Sequence, residues 1–458
     1  MDRFESQLVD YISGLNYNGL TQAAVEEAKI RVLDSLACAY AAYRENSVEA
    51  MRHIALQSAS DCGATVFGTS HRTTVYDATI LWGTAIRAYD WNDTYLSREP
   101  AHPSDNIAAA IAVAEAENRS GRDLIAAICL GYELQCRLCD AAAIREKGWD
   151  HVTYGSISST AAASKLMGLN PEQTRNALGI AVTTGNYLRQ TRIGTISSWK
   201  ASAFAKAARN AVEAALYARA GFSGPSEIIS GQHGLIAQIT RGEFDLAPEF
   251  GGQGGEEYKI VSTYIKYFPA EYHSQSAIWA AMDLRNSIGP DGWRDIQSVL
   301  VETSRHSYEI IGVERDKWRP GTRETADHSL PFITAVALME GVITLKHFES
   351  DYLNNQALLD LTDKVECSEK KEYTDLYGTS YPNKVTVTMR DGKVLSREII
   401  DPKGHPLNPL TRDQIEKKFQ MNSDGLLDDS QQQRLIHHVW NLETLGSLKP
   451  LIDSLVIK

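Results

Sequence analysis

Apolar positions in the first half of the chain recur at helical spacing, and small residues, alanine above all, fill the places between them. Thr21 reads as the N-cap of a long helix over QAAVEEAKIRVLDSLACAYAAY. A further helix is predicted from roughly Asp77 to Ala88. NIAAAIAVAEAENRSG is so nearly apolar throughout that burial on most sides is expected. Gly121 punctuates before RDLIAAICLGYELQCRLCDAAA, another helix, and WDHVTYGSISSTAAASKLMGL reads as a loop followed by a small-residue helix. Pro171 opens PEQTRNALGIAVTTG at the position proline favours, and Gly221 stops WKASAFAKAARNAVEAALYARAG.

After about residue 245 the pattern changes. PEFGGQGGEEYK reads as a hinge or loop between domains; no strand precedes it and no GK[ST] ends it, so a phosphate loop is disfavoured. IQSVLVETS alternates as a strand does, and KVTVTM and KVLSREII flank Arg390-Asp391-Gly392, a hairpin signal. EYHSQSAIWAAMDLR and LPFITAVALMEGV supply helices between them. The pattern predicts a helical domain over 1–264 and a smaller α+β domain over 265–400. The tail, 401–458, opens a helix with a Thr411/Gln414 capping box and is expected to pack back on the first domain.

Composition narrows the function. A chain of 458 residues exceeds one simple core. A net charge of −12 argues against nucleic-acid binding, so any anionic substrate must be met by local cations. The opening MDRFESQLVDYI lacks the basic start and apolar run of a signal peptide, and no apolar run reaches the roughly 18 residues of a membrane span. A cytoplasmic protein is expected. The six cysteines are scattered; Cys136 and Cys139 spell CxxC without a second pair, so buried apolar roles are expected rather than a zinc site or iron–sulfur cluster.

The candidate chemistry centres on YDWNDTYLSREPAHPSD, residues 89–105. It sets Asp90, Asp93, Glu99, Asp105, His102 and Thr94 in a proline-bearing break between two buried-looking helices. A plain polar loop, with Ser104 or Asp105 capping the next helix, accounts for those two residues but not for DWNDT and His102. Four other stretches carry titratable groups: Asp150-His151 before a Gly/Ser turn; LRQTRIGTISSWK with Arg189, Arg192 and Lys200; IKYFPAEYHSQSA with Lys266, Glu271 and His273; and TADHSLPF with Asp327 and His328. Arginines before a helix suit carboxylate binding. With no HExxH and no GxSxG, the inventory fits acid–base chemistry on a carboxylate held in an interdomain cleft, with no metal required.

At these residues the sequence resembles the MmgE/PrpD family, through AYDWNDTYLSREPAHPSD, WDHVTYGSISSTAAASKLMGL, SSWKASAFAKAARNAVEAALYARAGFSGP, IKYFPAEYHSQSA and ADHSLPF, in family order and over nearly the whole chain. The family includes 2-methylcitrate dehydratase, cis-aconitate decarboxylase and iminodisuccinate epimerase. The resemblance implies a mainly α chain: a large all-helical domain built from both chain ends, an α+β lid, a homodimer, and no metal or other cofactor. It puts active-site positions at Asp90, Thr94, His102, His151, Lys200 and Lys266. Where the decarboxylase carries a histidine after FPA, this chain has Glu271, as the dehydratases do. Where many members carry a tyrosine just after HSLP, it has Phe332, which removes a phenolic acid.

The expected activity is a cofactor-independent hydro-lyase acting on a tricarboxylate, 2-methylcitrate first, giving 2-methyl-cis-aconitate. His102 or His151 would serve as base or acid, Asp90 would orient an imidazole, and Lys200, Lys266 and Arg192 would hold carboxylates. Rival readings are an epimerase of a dicarboxylate such as iminodisuccinate, a cis-aconitate decarboxylase, and a non-catalytic helical dimer whose site has decayed. The decayed site is disfavoured because His102, His151, Lys200 and Lys266 are all present, and Glu271 argues against the decarboxylase.

Overall fold

The computed structural model describes residues 2–193 and 196–457. The chain is mainly α and divides into two compact units, Met1–Thr263 with Thr411–Lys458, and Tyr264–Leu410. Gly194 and Thr195, within the arginine-bearing loop, lie outside the described residues. Among the described residues no helix is long and apolar enough to cross a membrane.

In the first unit, helix α1 (Gln22–Ala41) starts at Thr21, whose hydroxyl accepts from the Ala24 N–H. It is followed by α2 (Val75–Arg87), α3 (Ile107–Ala116), α4 (Gly121–Ala141), α5 (Val152–Met167), α6 (Pro171–Thr184) and α7 (Trp199–Arg219). Ile107 to Ala114 are all buried, as the unbroken apolar run predicts. Ser120 and Asp123 form a capping box, so Gly121 is the first residue of α4 rather than a break before it. Cys129, Cys136 and Cys139 are buried in α4. Small residues set how closely helices approach. A Cβ on Gly83 would stand 2.6 Å from the Ala205 Cβ, and the Thr84 hydroxyl donates to Ser202 at 3.0 Å. Helices α2 and α7 therefore run antiparallel in close contact, which brings the end of α2 to the start of α7. From the other end of the chain, the helix Arg412–Ser423 packs on α1, and its Thr411/Gln414 capping box forms as expected.

Two expectations need correction here. The unit is not all-helical: β1 (Ala59–Thr65) and β2 (Arg72–Thr73) pair as a short antiparallel ribbon. Its sequence, ASDCGAT, has no apolar alternation. The strands meet through a backbone approach at Gly63, where a Cβ would fall 1.6 Å from the Thr73 carbonyl oxygen. The glycine-rich stretch after residue 247 is not a hinge. The buried Glu133 accepts from the Gly251 and Lys259 N–H groups, both at 2.7 Å, and the Tyr11 hydroxyl donates to the Gly251 carbonyl.

The second unit holds α8 (Gln275–Ile288), β3 (Ile296–Thr303), α9 (Leu330–Glu340), β4 (Val365–Glu369), β5 (Asn383–Met389) and β6 (Val394–Ile399). The sheet order is β4-β3-β5-β6, with β3 and β4 parallel and the other neighbours antiparallel. Val299 and Val301 pair with Val387 and Val385 and face a core that includes Ile278, Phe332 and Val336. The Asp391-Gly392 turn joins β5 to β6, with Gly392 at φ +88°. Strand β4, VECSE, escapes sequence reading because its alternation is short, with only Val365 and Cys367 buried among polar neighbours. Residues 401–410 belong with this unit: the Ile265 N–H donates to Gly404, which at φ +96° leaves no room for a side chain beside the Ile265 carbonyl.

Candidate active site

The stretch from residue 89 is built from the end of α2. Arg87 is the last helical residue, and Asp90 leaves the helix in the left-handed region at φ +53°. Its carboxylate pairs with the buried Arg87 and, at 3.0 Å, with the Lys200 ammonium, which α7 delivers from its first turn. The Nε2 of His102 lies 3.8 Å from Asp90. Two cations and an imidazole thus share one partly buried carboxylate.

Beyond Asp90 the chain folds back on itself. Tyr95 and Ala101 exchange backbone hydrogen bonds, and the buried Thr94 hydroxyl donates to the Ala101 carbonyl at 3.2 Å. His102 returns to Asp93, whose backbone carbonyl lies 2.7 Å from His102 Nδ1. A carbonyl only accepts, so Nδ1 carries the proton and Nε2 faces Asp90. The Asp93 carboxylate accepts from the Ser104 N–H at 2.9 Å and the Tyr132 hydroxyl at 2.7 Å, and Arg31 stands 3.5 Å away. Ser104 and Asp105 cap nothing: they lie inside a 3-10 turn (Pro103–Asn106), where the Asn92 amide donates to both side chains at 2.8 Å. Glu99 accepts the Ile144 and Arg145 N–H groups, which fastens this loop to the segment before Asp150.

His151 enters from the start of α5, its ring centre 5.7 Å from that of His102. The Asp150 carboxylate holds it, 2.8 Å from Nδ1. An antiparallel bridge between Trp149 and Leu188 lays the arginine segment alongside, and Arg192 Nε reaches the second Asp150 oxygen at 2.7 Å. Burial, the largest influence on His151, pushes its imidazole down to about 4, with Asp150 pulling the other way. Burial raises Asp150, yet His151 and Arg192 together hold it well below the usual carboxylate range. The pair is therefore an anionic Asp150 and a neutral His151 with its proton on Nδ1. Nε2 of His151 is left buried with no hydrogen-bond partner. Such an orphan costs roughly 1–3 kcal/mol in an ordinary core, and a lone pair of this kind is what a proton acceptor requires. Arg192 is placed to hold Asp150, whereas Arg189 forms the other end of the same short turn.

Burial also pushes the Asp105 carboxyl up to about 7, against the pull of Arg87. The folded state then keeps a proton that the unfolded chain releases near pH 4, so stability from this group is present at low pH and falls as pH rises toward 7. Asp105→Asn mimics the protonated form. Its stability relative to wild type is expected to rise between pH 5 and pH 8 by on the order of 3 kcal/mol. Urea titrations of both proteins at the two pH values check this; an unchanged difference would mean an ionised Asp105 throughout.

The second unit has its own group of polar residues. Glu271 caps a short turn by accepting the His273 N–H at 2.8 Å and faces His273 Nδ1 at 2.7 Å. Burial raises this carboxyl, but His273, His328 and Lys266 bring it below its ordinary value. His273 lies parallel to Tyr377, and Lys266 is buried. Asp327 accepts the Glu271 N–H through its carbonyl and pairs with His328 by its side chain. Phe332 is fully buried in α9.

Sequence reading finds His102, His151, Asp90 and Lys200, which the structure gathers. It misses Arg87, although the three-residue spacing from Asp90 is a usable signal, and it names Asp93 but misses the Tyr132 and Arg31 that hold it. Among the described residues no group of three or more His, Cys, Asp or Glu side chains has the geometry to hold a metal ion.

The geometry can be set beside known proteins. The chain is similar to a 2-methylcitrate dehydratase of Salmonella typhimurium, 28% identical over 95% of this chain and 93% of the relative. It is similar to a mitochondrial 2-methylcitrate dehydratase of Yarrowia lipolytica, 28% identical over 88% of this chain and 80% of the relative. A cis-aconitate decarboxylase-like protein of Aspergillus oryzae is 26% identical over 98% of this chain and 96% of its own length. Residues 6–247 match the MmgE/PrpD N-terminal domain and residues 268–444 the MmgE/PrpD C-terminal domain. With both domains matched in order over most of its length, the chain belongs to the MmgE/PrpD family.

Proposed function

We propose that this protein is a dehydratase of a hydroxylated tricarboxylate, with 2-methylcitrate as first candidate, working by acid–base elimination. The observation that carries the reading is the unpartnered Nε2 of a neutral, Asp150-oriented His151 facing a second histidine, His102. Elimination removes a proton from the carbon next to a carboxylate and a hydroxyl from the neighbouring carbon. His151 Nε2 takes the proton; its tautomer is set by Asp150, which Arg192 keeps ionised. His102 gives a proton to the departing hydroxyl, which leaves as water, and Asp90 is the counter-ion to His102 when that ring is charged. The negative charge that builds on the substrate carboxylate as the C–H bond breaks is met by the nearby cationic side chains, Lys200 first. The names of the bacterial and yeast relatives support the dehydratase, and so does Glu271, which stands where the decarboxylases carry histidine.

The test is ultraviolet absorbance of chelator-treated protein mixed separately with 2-methylcitrate and citrate. A rise from the new conjugated double bond is expected, faster with 2-methylcitrate. No rise with either would remove the dehydratase and turn attention to proton exchange on iminodisuccinate, the chemistry of an epimerase.

A further inference from the structure

A fully buried ion pair lies beneath the site and takes no part in the elimination. The Lys418 ammonium, on the helix Arg412–Ser423, stands 2.6 Å from Asp34 of α1, and both side chains have no exposed surface. The same ammonium donates to the backbone carbonyl of Trp91 at 3.2 Å and sits 5.0 Å from the centre of the Trp91 ring. Trp91 directly follows Asp90, the residue in the left-handed region at φ +53°. For a side-chain-bearing residue that conformation is strained and persists only where neighbours over-determine it. A buried ion pair is often replaceable by apolar packing without loss of stability, so bulk stability is a weak reason for one here.

We propose that Lys418 is a positioning residue for Asp90: anchored by Asp34, it holds the Trp91 carbonyl and so fixes the turn that aims the Asp90 carboxylate at His102 and Lys200. The C-terminal helix thereby sets the geometry of a site whose reacting groups all come from earlier in the chain. This rests on the elimination proposed above, in which Asp90 is the counter-ion to His102.

The test is a double-mutant cycle. Lys418→Met alone strands Asp34 and is expected to be unstable, so the working background is K418M/D34N, which removes both charges; K418Q/D34N runs the same cycle should the first fail to fold. The background is expected to melt close to wild type and to lose ~10-fold or more in kcat. Asp90→Asn is expected to cost ~100-fold in the wild type but under about 3-fold in the background, because the two changes remove one interaction. Equal costs in both backgrounds would overturn the proposal. A second readout needs no turnover: the Cε1–H proton signal of His102, assigned with His102→Gln, is expected to shift in K418M/D34N as it does in Asp90→Asn, and a signal that stays in place also overturns the proposal. If the wild type dehydrates neither substrate while this signal still moves, the functional reading fails and the positioning role stands.

Discussion

Asp150→Asn is expected to lower kcat by ~10³–10⁴-fold while the protein stays folded, the size of loss that follows when a catalytic histidine is held in the wrong tautomer. Arg192 donates to one Asp150 oxygen at 2.7 Å, and His151 Nδ1 meets the other at 2.8 Å. In the variant, the shorter, charge-assisted bond from Arg192 outweighs the 3.2 Å Val152 N–H contact to the other oxygen and keeps the amide oxygen on its own side. The amide NH₂ then faces Nδ1, which must accept, and the ring proton moves to Nε2. The lone pair that was to remove the substrate proton is gone, although every ring stays in place. Near-normal turnover by a folded Asp150→Asn protein would take the base role away from His151. Steady-state kinetics, with circular dichroism to verify folding, measures both parts.

His102→Ala is expected to cost at least ~100-fold in kcat, the lower end of what one positioned general acid or base supplies. The ring is mostly buried; its Nδ1 donates to the Asp93 carbonyl and its Nε2 stands 3.8 Å from the Asp90 carboxylate, both in the loop after α2 rather than in the helical core. The Asp93 carboxylate, which ties the loop to Ser104 and Tyr132, is untouched in the variant. The loss is therefore expected in kcat with little change in melting temperature, and a variant that turns over normally would remove His102 from the mechanism.

Much of the site is legible in the amino-acid sequence because its groups interrupt apolar helices. Asp90, His102 and His151 are polar where the flanking periodicity calls for burial, and such interruptions mark chemistry more often than packing. Arg87 is easily passed over, since a basic residue in the last turn of a helix has an ordinary reason to be there, and only its three-residue spacing from Asp90 marks it. Arg31, Tyr132 and Lys418 are not legible, since each reads as one more position on a helix until folding brings it to the loop. Helix starts are predicted well because their caps are local: Thr21, Pro171 and Thr411 each start a helix where sequence reading places the start. The β1–β2 ribbon lacks apolar alternation and β4 alternates over only two buried positions, so tertiary pairing decides them. The glycines after residue 250 mislead for a physical reason. Gly251 is small because Tyr258 packs against it, 2.7 Å from where its Cβ would be, a need that in sequence looks the same as flexibility.

The most direct measurement is a proton NMR time course of chelator-treated wild-type protein with 2-methylcitrate in D₂O. Dehydration removes the proton from the methyl-bearing carbon and the hydroxyl from its neighbour. The methyl doublet is therefore expected to vanish and reappear downfield as the singlet of a methyl group on a double bond, with all three carboxylates retained. A singlet growing at the original methyl position, without the alkene, would show proton exchange with no departure of hydroxyl; that result, or an unchanged spectrum, would contradict the elimination.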